Sequence, residues 1–347
     1  MAAWYVGNTF YNIYNKRASN MMHAHWFIAS VQLTVGILIS AILWGTGIRK
    51  TPNLSSADIA ACIPIGAFAC LAHCGSVLAA AVGAVSFQQI VKACEPVFAA
   101  VVGVLVPPAD VKPFLAYLML IPIVGGVGLA CVKEGKGVDI NVEAFLYASM
   151  ANASAAFKGK LGSSVTKSLK ADKSKNMDAA NVYAVMNIIS FLCTVPFVVI
   201  NELPTLKEEW AAATEKHGAQ PLIMNIVLSG FCYYIYNECE SSGERHHERY
   251  RVLASNVPDV LVGYLFGLPS FSFSAVAFAF TASVGSVTSS VLNTAKRVII
   301  IVVSAVIFQE AMERNTVIGS AIAIGGTFAY SLASKGGAKK EVKKKAE

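Results

Sequence analysis

Charged residues are scarce in this sequence: only 14% of its 347 residues are Asp, Glu, Lys or Arg, whereas about 25% is usual in soluble domains. Together with a mean hydropathy of +0.56, this scarcity excludes an ordinary soluble enzyme. Apolar residues make up 55% of the chain, and they come in runs of about 20, the length that crosses a bilayer core of about 30 Å. The sequence therefore predicts an all-α, polytopic membrane protein.

Ligand spacings typical of metal sites are also missing. The eight cysteines lie mostly inside apolar runs, without the paired spacing of a zinc site or the density of a disulfide scaffold. The adjacent His246 and His247 have no third ligand nearby. We therefore expect no metal and no other cofactor, and we interpret the cysteines as small core residues.

The apolar runs predict ten membrane-spanning helices. They fall near residues 3–16, 25–46, 58–82, 85–106, 113–132, 143–160, 180–201, 222–238, 285–308 and 315–334. An even number of spans places both termini on one side. The loops on that side hold fifteen Lys and Arg, among them the six Lys between 158 and 175, against seven on the other side, so the terminal side is predicted to be the inside. The basic tail, 335–347, indicates a membrane-proximal end rather than a nucleic-acid site. We identify no targeting peptide in the first 17 residues.

An internal repeat divides the chain. A shift of 202 positions lays "VGAVSFQQIVKACEPVFAAVVGVLV", which begins at Val82, over "VGSVTSSVLNTAKRVIIIVVSAVIF", which begins at Val284. Chance matching of Gly and Val is the alternative, but the shared span length and the shared basic loop position favour a true repeat. We predict two five-helix repeats, 1–140 and 141–334. Repeats of this kind build many transporter folds, with the substrate site near the middle of the membrane.

Residues 239–275 interrupt the second copy within a predicted span. This stretch begins with charged and His-rich sequence and ends with apolar sequence that contains prolines; its end overlaps a further apolar stretch at about 258–280. Natural insertions normally lie in exposed loops, where backbone groups reach water. We therefore favour a translated intron or gene-model error over a real lumenal excursion or re-entrant hairpin.

Three cations lie well inside predicted spans, away from the span ends: Lys92, Lys296 and Arg297. Each costs about 2.5–3.5 kcal/mol at the centre of a membrane helix, so such residues normally have a function. One alternative is that Lys296 and Arg297 extend to the interface; another is that Glu95, three positions after Lys92, neutralises it as a structural pair. We favour a focused anion site for phosphate, because Arg offers a planar fork and Lys a point charge.

Other polar residues lie in the spans that precede the cationic helices: His73, Ser76, Tyr236 and Glu238. A single His in an apolar helix is more often a packing residue than a ligand. When 239–275 is removed, however, the repeat superposes His73 on Glu238, so both precede a cationic helix. This match favours a role for His73 in the site.

Several motifs together resemble the plastidic phosphate translocators of the drug/metabolite transporter superfamily, most closely the triose-phosphate/phosphate group. They are "FYNIYNK", "LAHCGSV", "VSFQQIVKACEP", "IYNE" and "NTAKRV" followed by "IGSAIAIGGTFAYS". The resemblance covers nearly the whole chain except 239–275. It implies a drug/metabolite transporter fold of ten helices and strict exchange of inorganic phosphate for triose phosphate or 3-phosphoglycerate. It also implies a location in the plastid inner envelope or an equivalent plastid membrane.

The resemblance further implies roles for individual residues. Phosphate would bind Lys92, Lys296 and Arg297, with Ser76 at a hydroxyl position; His73 and Tyr236 would contact the carbon part; Glu95 and Glu238 would be supporting or gating residues. The usual Thr-His of the family is replaced by Gln88 and Gln89, a departure that bears on substrate preference more than on the phosphate site.

Two other functions remain as alternatives. The first is exchange of another organic phosphate or a nucleotide sugar. Against a nucleotide sugar, the residues around the three cations offer no obvious site for a nucleobase or a sugar. The second is a membrane enzyme acting on lipid phosphates, which should carry a nucleophile or an acidic metal-binding motif, yet Asp and Glu are almost absent from the spans. We predict an alternating-access antiporter rather than an enzyme. Its expected partners are phosphate, phosphorylated three-carbon metabolites and the bilayer, without nucleic acid, and a homodimer is left open.

Overall fold

The structure is a computed structural model, and it describes residues 2–133, 137–138, 141–242, 288–310 and 312–344. The helices are α1 (Ala2–Met21), α2 (His25–Gly45), α3 (Ser56–Val82), α4 (Val85–Lys92), α5 (Glu95–Leu105), α6 (Phe114–Leu118), α7 (Leu120–Ala130), α8 (Val142–Ala171), α9 (Ala179–Asn201), α10 (Leu206–His217), α11 (Ala219–Ser242), α12 (Thr288–Phe308) and α13 (Arg314–Lys344). One antiparallel pair, β1 (Val132–Lys133) with β2 (Gly137–Val138), joins α7 to α8. The described chain is thus helical, as predicted.

Five of the described segments are long and apolar enough to cross a membrane. They are His25–Gly45, Ser56–Val82, Val85–Leu105, Ala179–Asn201 and Arg314–Ser334. Every predicted apolar run overlaps a described helix, while the count of ten spans and the division into two repeats stay predictions. Residues 243–275 of the interrupting segment lie outside the described residues, as do His246 and His247.

The predicted span 85–106 is two helices, α4 and α5, rather than one. Pro96 lies in the first turn of α5; because it has no backbone N–H, it cannot donate to the carbonyl of Lys92, and the helix restarts there. Cys94 N instead donates to Val91 O at 3.0 Å, which tightens the last turn of α4. Non-helical backbone at membrane depth is tolerated where it lines a cavity.

Helix α8 continues well past the predicted end of its span at residue 160. It has 30 residues, which corresponds to about 45 Å. Hydropathy marks where apolar sequence ends, but Lys and Ser are compatible with a helix, so the helix itself continues. It ends at Asp172, whose carboxylate accepts a hydrogen bond from Ser174 N at 3.0 Å. The lysines of 158–170 therefore lie on a helix. The prediction that counted them in a loop was wrong.

The connections α2–α3 and α8–α9 meet at one end of the bundle, which we call the α8–α9 end. Lys175 Nζ lies 2.8 Å from Asp58 Oδ1, and Asn181 Nδ2 donates to Lys50 O at 2.9 Å. The hydrogen bond that Lys175 makes with Asp58 raises the pKa of the lysine. These contacts hold the two connections together.

Side chains bind helix ends at the opposite end of the bundle. Glu202 accepts hydrogen bonds from two amides in the first turn of α2, at 2.9 and 2.7 Å. Glu310 likewise binds two amides at the start of α4, at 2.9 and 3.1 Å, and Lys16 Nζ donates to two carbonyls at the end of α3, at 3.1 and 2.8 Å. Each charge complements the dipole of the helix end that it meets. We call these three interactions the opposite-end contacts.

Small residues allow α7 and α13 to pack with their backbones in close approach. A Cβ added to Gly126 would lie 2.6 Å from the carbonyl oxygen of Gly319, and one added to Gly319 would meet backbone atoms of Gly126 and Ala130. Small residues at such contacts are typical of helix pairs in membranes. Elsewhere α3 packs most extensively against α8 and α1 against α11, and this arrangement leaves a cavity between the helices.

Candidate substrate site

A cavity of about 690 Å³ lies within the bundle, with walls from α1, α2, α3, α4, α5, α8, α9, α11 and α12. It extends to Lys167 and Lys170 at the α8–α9 end. All six residues predicted to bind substrate line it: Lys92, Lys296, Arg297, Ser76, His73 and Tyr236. The fold thus brings together residues that are up to 224 positions apart in the sequence, from His73 to Arg297.

Arg297 is held by an ion pair across the cavity. Its Nη2 donates to Glu95 Oε2 at 2.7 Å, and the arginine side chain is only 7% exposed, whereas that of Glu95 is 48% exposed. Glu95 also lies in the first turn of α5, where the helix dipole favours a negative charge. The predicted supporting role of Glu95 therefore has a concrete geometry: it holds the guanidinium beside the break between α4 and α5.

The two lysines reach the cavity from different walls. Lys296 and Arg297 are adjacent, so their side chains leave α12 about 100° apart; Lys296 Nζ lies 4.4 Å from the ring centroid of Trp4 on α1, a cation–π distance. Lys92 is the last residue of α4, directly before the break. The structure places all three cations in the cavity wall.

His73 presents a hydrogen-bond acceptor within the site. It is 4% exposed, its Nε2 lies 3.3 Å from Ala29 O, and its ring centroid is 4.1 Å from that of Tyr233. Because a carbonyl oxygen only accepts, Nε2 carries the proton in this pairing, and in the neutral ring Nδ1 is then an acceptor. Nδ1 is buried and has no hydrogen-bond partner among the described residues.

Ser76 has its hydroxyl proton already engaged. Its Oγ donates to Ala72 O, one turn earlier, at 2.7 Å, and its own carbonyl accepts from Gln88 Nε2 at 2.6 Å. The hydroxyl can accept further hydrogen bonds, but it can donate to phosphate only if it gives up the bond to α3. Gln88 thus fixes the backbone of Ser76, and its neighbour Gln89 lines the cavity directly.

Tyr236 belongs to an aromatic wall that sequence reasoning captured only in part. Its ring centroid lies 5.5 Å from that of Tyr11 on α1 and 5.6 Å from that of Tyr233. Tyr11 was not predicted as a site residue. It follows Asn8 and precedes Asn12, and the spacing of these three residues places polar groups on one face of α1, a signal that the sequence does contain.

Three further buried polar atoms of lining residues have no hydrogen-bond partner in the described part of the chain. They are the hydroxyls of Tyr11 and Tyr183 and Oδ1 of Asn187. Buried polar groups are normally paired, and each exception requires an explanation. Because these atoms are also closed off from the cavity, a polar ligand would pair with them only after the lining side chains have moved.

Glu238 lies outside the residues that line the cavity. It is 2% exposed and forms an ion pair with Nη2 of Arg49, whose Nη1 lies 3.4 Å from the hydroxyl of Tyr234. The pairing joins α11 to the connection after α2. The repeat-based superposition of His73 on Glu238 therefore brings together residues with different surroundings: one contacts the cavity, the other an internal arginine.

Comparisons with known proteins match the chain to one family of transporters. The model of the Triose-phosphate Transporter family matches residues 1–243 and 244–331. The chain is 28% identical to glucose-6-phosphate/phosphate translocator 1, chloroplastic, of Arabidopsis thaliana, over 96% of this chain and 74% of that protein. It is 27% identical to phosphoenolpyruvate/phosphate translocator 1, chloroplastic, of Oryza sativa subsp. japonica, over 94% and 69%. It is 28% identical to triose phosphate/phosphate translocator, chloroplastic, of Zea mays, over 94% and 68%.

Proposed function

The chain belongs to the triose-phosphate transporter family, and on this basis we propose that it is an antiporter exchanging inorganic phosphate for triose phosphate or 3-phosphoglycerate. The observation that carries the proposal is that Lys92, Lys296 and Arg297 share one cavity with the neutral polar groups of His73 and the tyrosines. The membrane that we propose is the plastid inner envelope or an equivalent plastid membrane, since these relatives are named as chloroplastic.

The cationic part of the cavity suits the phosphate group. A phosphate monoester carries a charge of about −1.5 to −2 at pH 7, and the guanidinium of Arg297 can bind two of its oxygens at once. In the present geometry that guanidinium is occupied by Glu95. Phosphate must therefore displace or share with this carboxylate, which is 48% exposed and so accessible from the cavity.

The neutral part of the cavity suits a short, oxygenated carbon chain. Nδ1 of His73 can accept a hydrogen bond from a substrate hydroxyl, while the tyrosine hydroxyls can donate to a carbonyl or carboxylate. Nδ1 of His73 and the hydroxyls of Tyr11 and Tyr183 have no hydrogen-bond partner among the described residues, and because all three are buried, substrate would reach them by moving the lining side chains. A substrate that lacks the carbon part, inorganic phosphate, would use the cations alone.

Alternating access follows from the two unlike ends of the bundle. The cavity reaches exposed lysines at the α8–α9 end, whereas the opposite-end contacts bind helix termini together. Reorientation would have to open those contacts and close the α8–α9 end.

The charge of the cavity bears on why exchange would be obligatory. Among the described lining residues there are six cations and one carboxylate, so closing an empty cavity would bury net positive charge, which is costly. Bound phosphate would offset that charge, so the protein would reorient only when it is loaded.

A second candidate substrate class is a pentose or hexose phosphate. Tyr183 and Asn187 each add a buried polar atom that has no hydrogen-bond partner in the described part of the chain, and a three-carbon compound would not need them in addition to His73 and Tyr11. Relatives named for glucose 6-phosphate and xylulose 5-phosphate match the chain at 28% identity.

Counter-exchange in proteoliposomes tests the proposal. Vesicles preloaded with phosphate would be offered labelled phosphate together with competing dihydroxyacetone phosphate, 3-phosphoglycerate, phosphoenolpyruvate, glucose 6-phosphate, xylulose 5-phosphate or a UDP-sugar. We expect the two three-carbon compounds named first to compete best. Preference for glucose 6-phosphate or xylulose 5-phosphate would favour the second candidate, and preference for a UDP-sugar or absence of exchange would refute both.

A variant of the carbon-binding group separates the two parts of the site. His73→Ala should weaken triose phosphate competition while leaving exchange of phosphate for phosphate close to the parental rate, because the imidazole contacts only the carbon part. Lys216→Ala, at an exposed position on α10, is the matched control for reconstitution. Equal losses for both substrates would contradict this division of roles.

A further inference from the structure

Helix α8 lines the cavity with one continuous face. Its lining residues recur at helical spacing from Ala151 to Lys170, and apart from the lysines and one Asn they are all Ala, Gly, Ser or Thr. Side chains three and four positions apart share a helix face. The small residues leave open space along about 28 Å of helix. The cavity therefore extends to the end of α8 as a channel, and one of its walls is this face of small side chains.

Three lysines lie on this same face: Lys158, Lys167 and Lys170. Another lysine of the helix, Lys160, is absent from the lining and donates to Pro108 O at 2.5 Å. The three lysines therefore line the cavity because of their positions on the helix face. A lysine elsewhere on the same helix does not line it. All three are exposed, so their ammonium groups are accessible to a solute in the channel.

The lysines occupy successive depths between the mouth and the phosphate site. Asn152 Nδ2 donates to Val91 O at 2.9 Å, which fixes Asn152 at the level of Lys92. With a rise of about 1.5 Å per residue, Lys158, Lys167 and Lys170 lie about 9, 22 and 27 Å further along the axis of α8. Steps of this length are comparable with the Debye length of about 8 Å at physiological salt.

The charge of the channel is strongly one-sided. Its described lining contains six Lys and Arg and a single acidic residue, Glu95, which is paired with Arg297. Clefts lined by one sign of charge between low-dielectric walls concentrate ions of the opposite sign and raise association rates by about 10- to 1,000-fold. A lysine series that served only to orient the chain in the membrane would not need to follow the cavity face.

We propose that Lys167 and Lys170 form an outer binding station for phosphate dianions and phosphate monoesters at the α8–α9 end, and that Lys158 passes these anions on to Lys92, Lys296 and Arg297. The inference rests on the proposed exchange function. It adds a second anion site, distinct from the inner one, that acts on entry from one side of the membrane only.

The test is the kinetics of phosphate exchange by the full chain in proteoliposomes of known orientation, at several ionic strengths. The double variant Lys167→Gln/Lys170→Gln should raise the KM for phosphate offered at the α8–α9 end about three- to tenfold and flatten its salt dependence. Maximal rate and the KM at the other face should be unchanged. Lys167→Arg/Lys170→Arg, which keeps both charges, should restore the parental KM.

Lys173→Gln is the matched control, since it removes an exposed positive charge just beyond α8 from a residue that does not line the cavity. If the double variant has the same KM and salt dependence as Lys173→Gln, while the parental protein exchanges phosphate, the outer station is refuted and the inner site stands. If the parental protein exchanges no phosphate, the proposed function fails, and this inference fails with it.

Discussion

Arg297 and Glu95 form an ion pair at 2.7 Å, and they are separated by 202 positions, the same shift that aligns the two predicted repeats. In the predicted repeats the partners therefore occupy equivalent positions, one with a cation and the other with a carboxylate. An interaction between equivalent positions places the contact near the axis that would relate the copies. The substrate site and the proposed repeat interface coincide at this pair.

Arg297 should be the least replaceable of the three cations. Arg297→Lys keeps the charge but loses the planar fork, and we expect the KM for phosphate to rise about tenfold. Arg297→Ala loses both, and an increase of about a hundredfold is expected, since hydrogen bonds to charged groups contribute about 1.5–3 kcal/mol. Labelled-phosphate exchange measures both. Arg17→Ala, at an exposed arginine, is the control; equal KM values for the Lys and Ala variants would refute the bidentate role.

Glu95 should compete with phosphate for the same guanidinium. Glu95→Gln removes the competing charge, so the KM for phosphate should fall, by about tenfold if the competition amounts to about 1.4 kcal/mol. Efflux into phosphate-free medium should decline as well, because the empty cavity then retains more positive charge. Initial rates of uptake and efflux provide the measurement. Glu215→Gln, on the exposed side of α10, is the control, and a higher KM in Glu95→Gln would show instead that the carboxylate positions Arg297.

The contact between α7 and α13 should be intolerant of a single methyl group. Gly319→Ala drives a Cβ into backbone atoms of α7, and overpacking of this kind costs about 1–3 kcal/mol. Gly325→Ala, on the same helix, meets nothing within 4 Å and should be neutral or stabilising, because Ala favours helix. Thermal unfolding in detergent compares the two variants; similar Tm values would mean that the helices separate without loss.

Glu310 should protect the start of α4 from exchange with solvent. Glu310→Gln weakens its bonds to the amides of Val85 and Ser86, and hydrogen–deuterium exchange there should become about tenfold faster for a loss of about 1.4 kcal/mol. Glu208→Gln on α10 should leave these amides unaffected. Unchanged protection in Glu310→Gln would show that closure at this end depends on other contacts.

The three cations of the cavity were predictable as candidate site residues because a bilayer penalises each buried charge by itself. Lys92, Lys296 and Arg297 can be recognised from the sequence alone, because a charge within an apolar run is costly whichever residues it contacts in the folded protein. Tyr183 and Asn187 were not predictable in this way, because a Tyr or Asn in an apolar helix costs little and its direction depends on how neighbouring helices rotate against one another. Their place in the cavity is a property of packing between α9 and its neighbours.

Helix ends were predictable only where they coincide with a change in hydropathy. The break after Lys92 depends on a missing N–H at Pro96, which leaves the apolar character of the run intact. The end of α8 depends on the side chain of Asp172, twelve residues after the predicted span ends at 160. The positions of Lys158, Lys167 and Lys170 were accordingly assigned to a loop, and their alignment along the cavity was missed.

The opposite-end contacts join side chains to main-chain groups, and this has a consequence for how the sequence can change over time. Glu202, Glu310 and Lys16 bind amides and carbonyls that almost every amino acid provides. The residues that contribute these backbone groups can therefore be substituted by almost any other, except that proline would remove an amide. The three charged residues must be retained. We therefore expect no correlated substitutions between the two partners of these contacts among related sequences, since only one partner of each contact is a side chain.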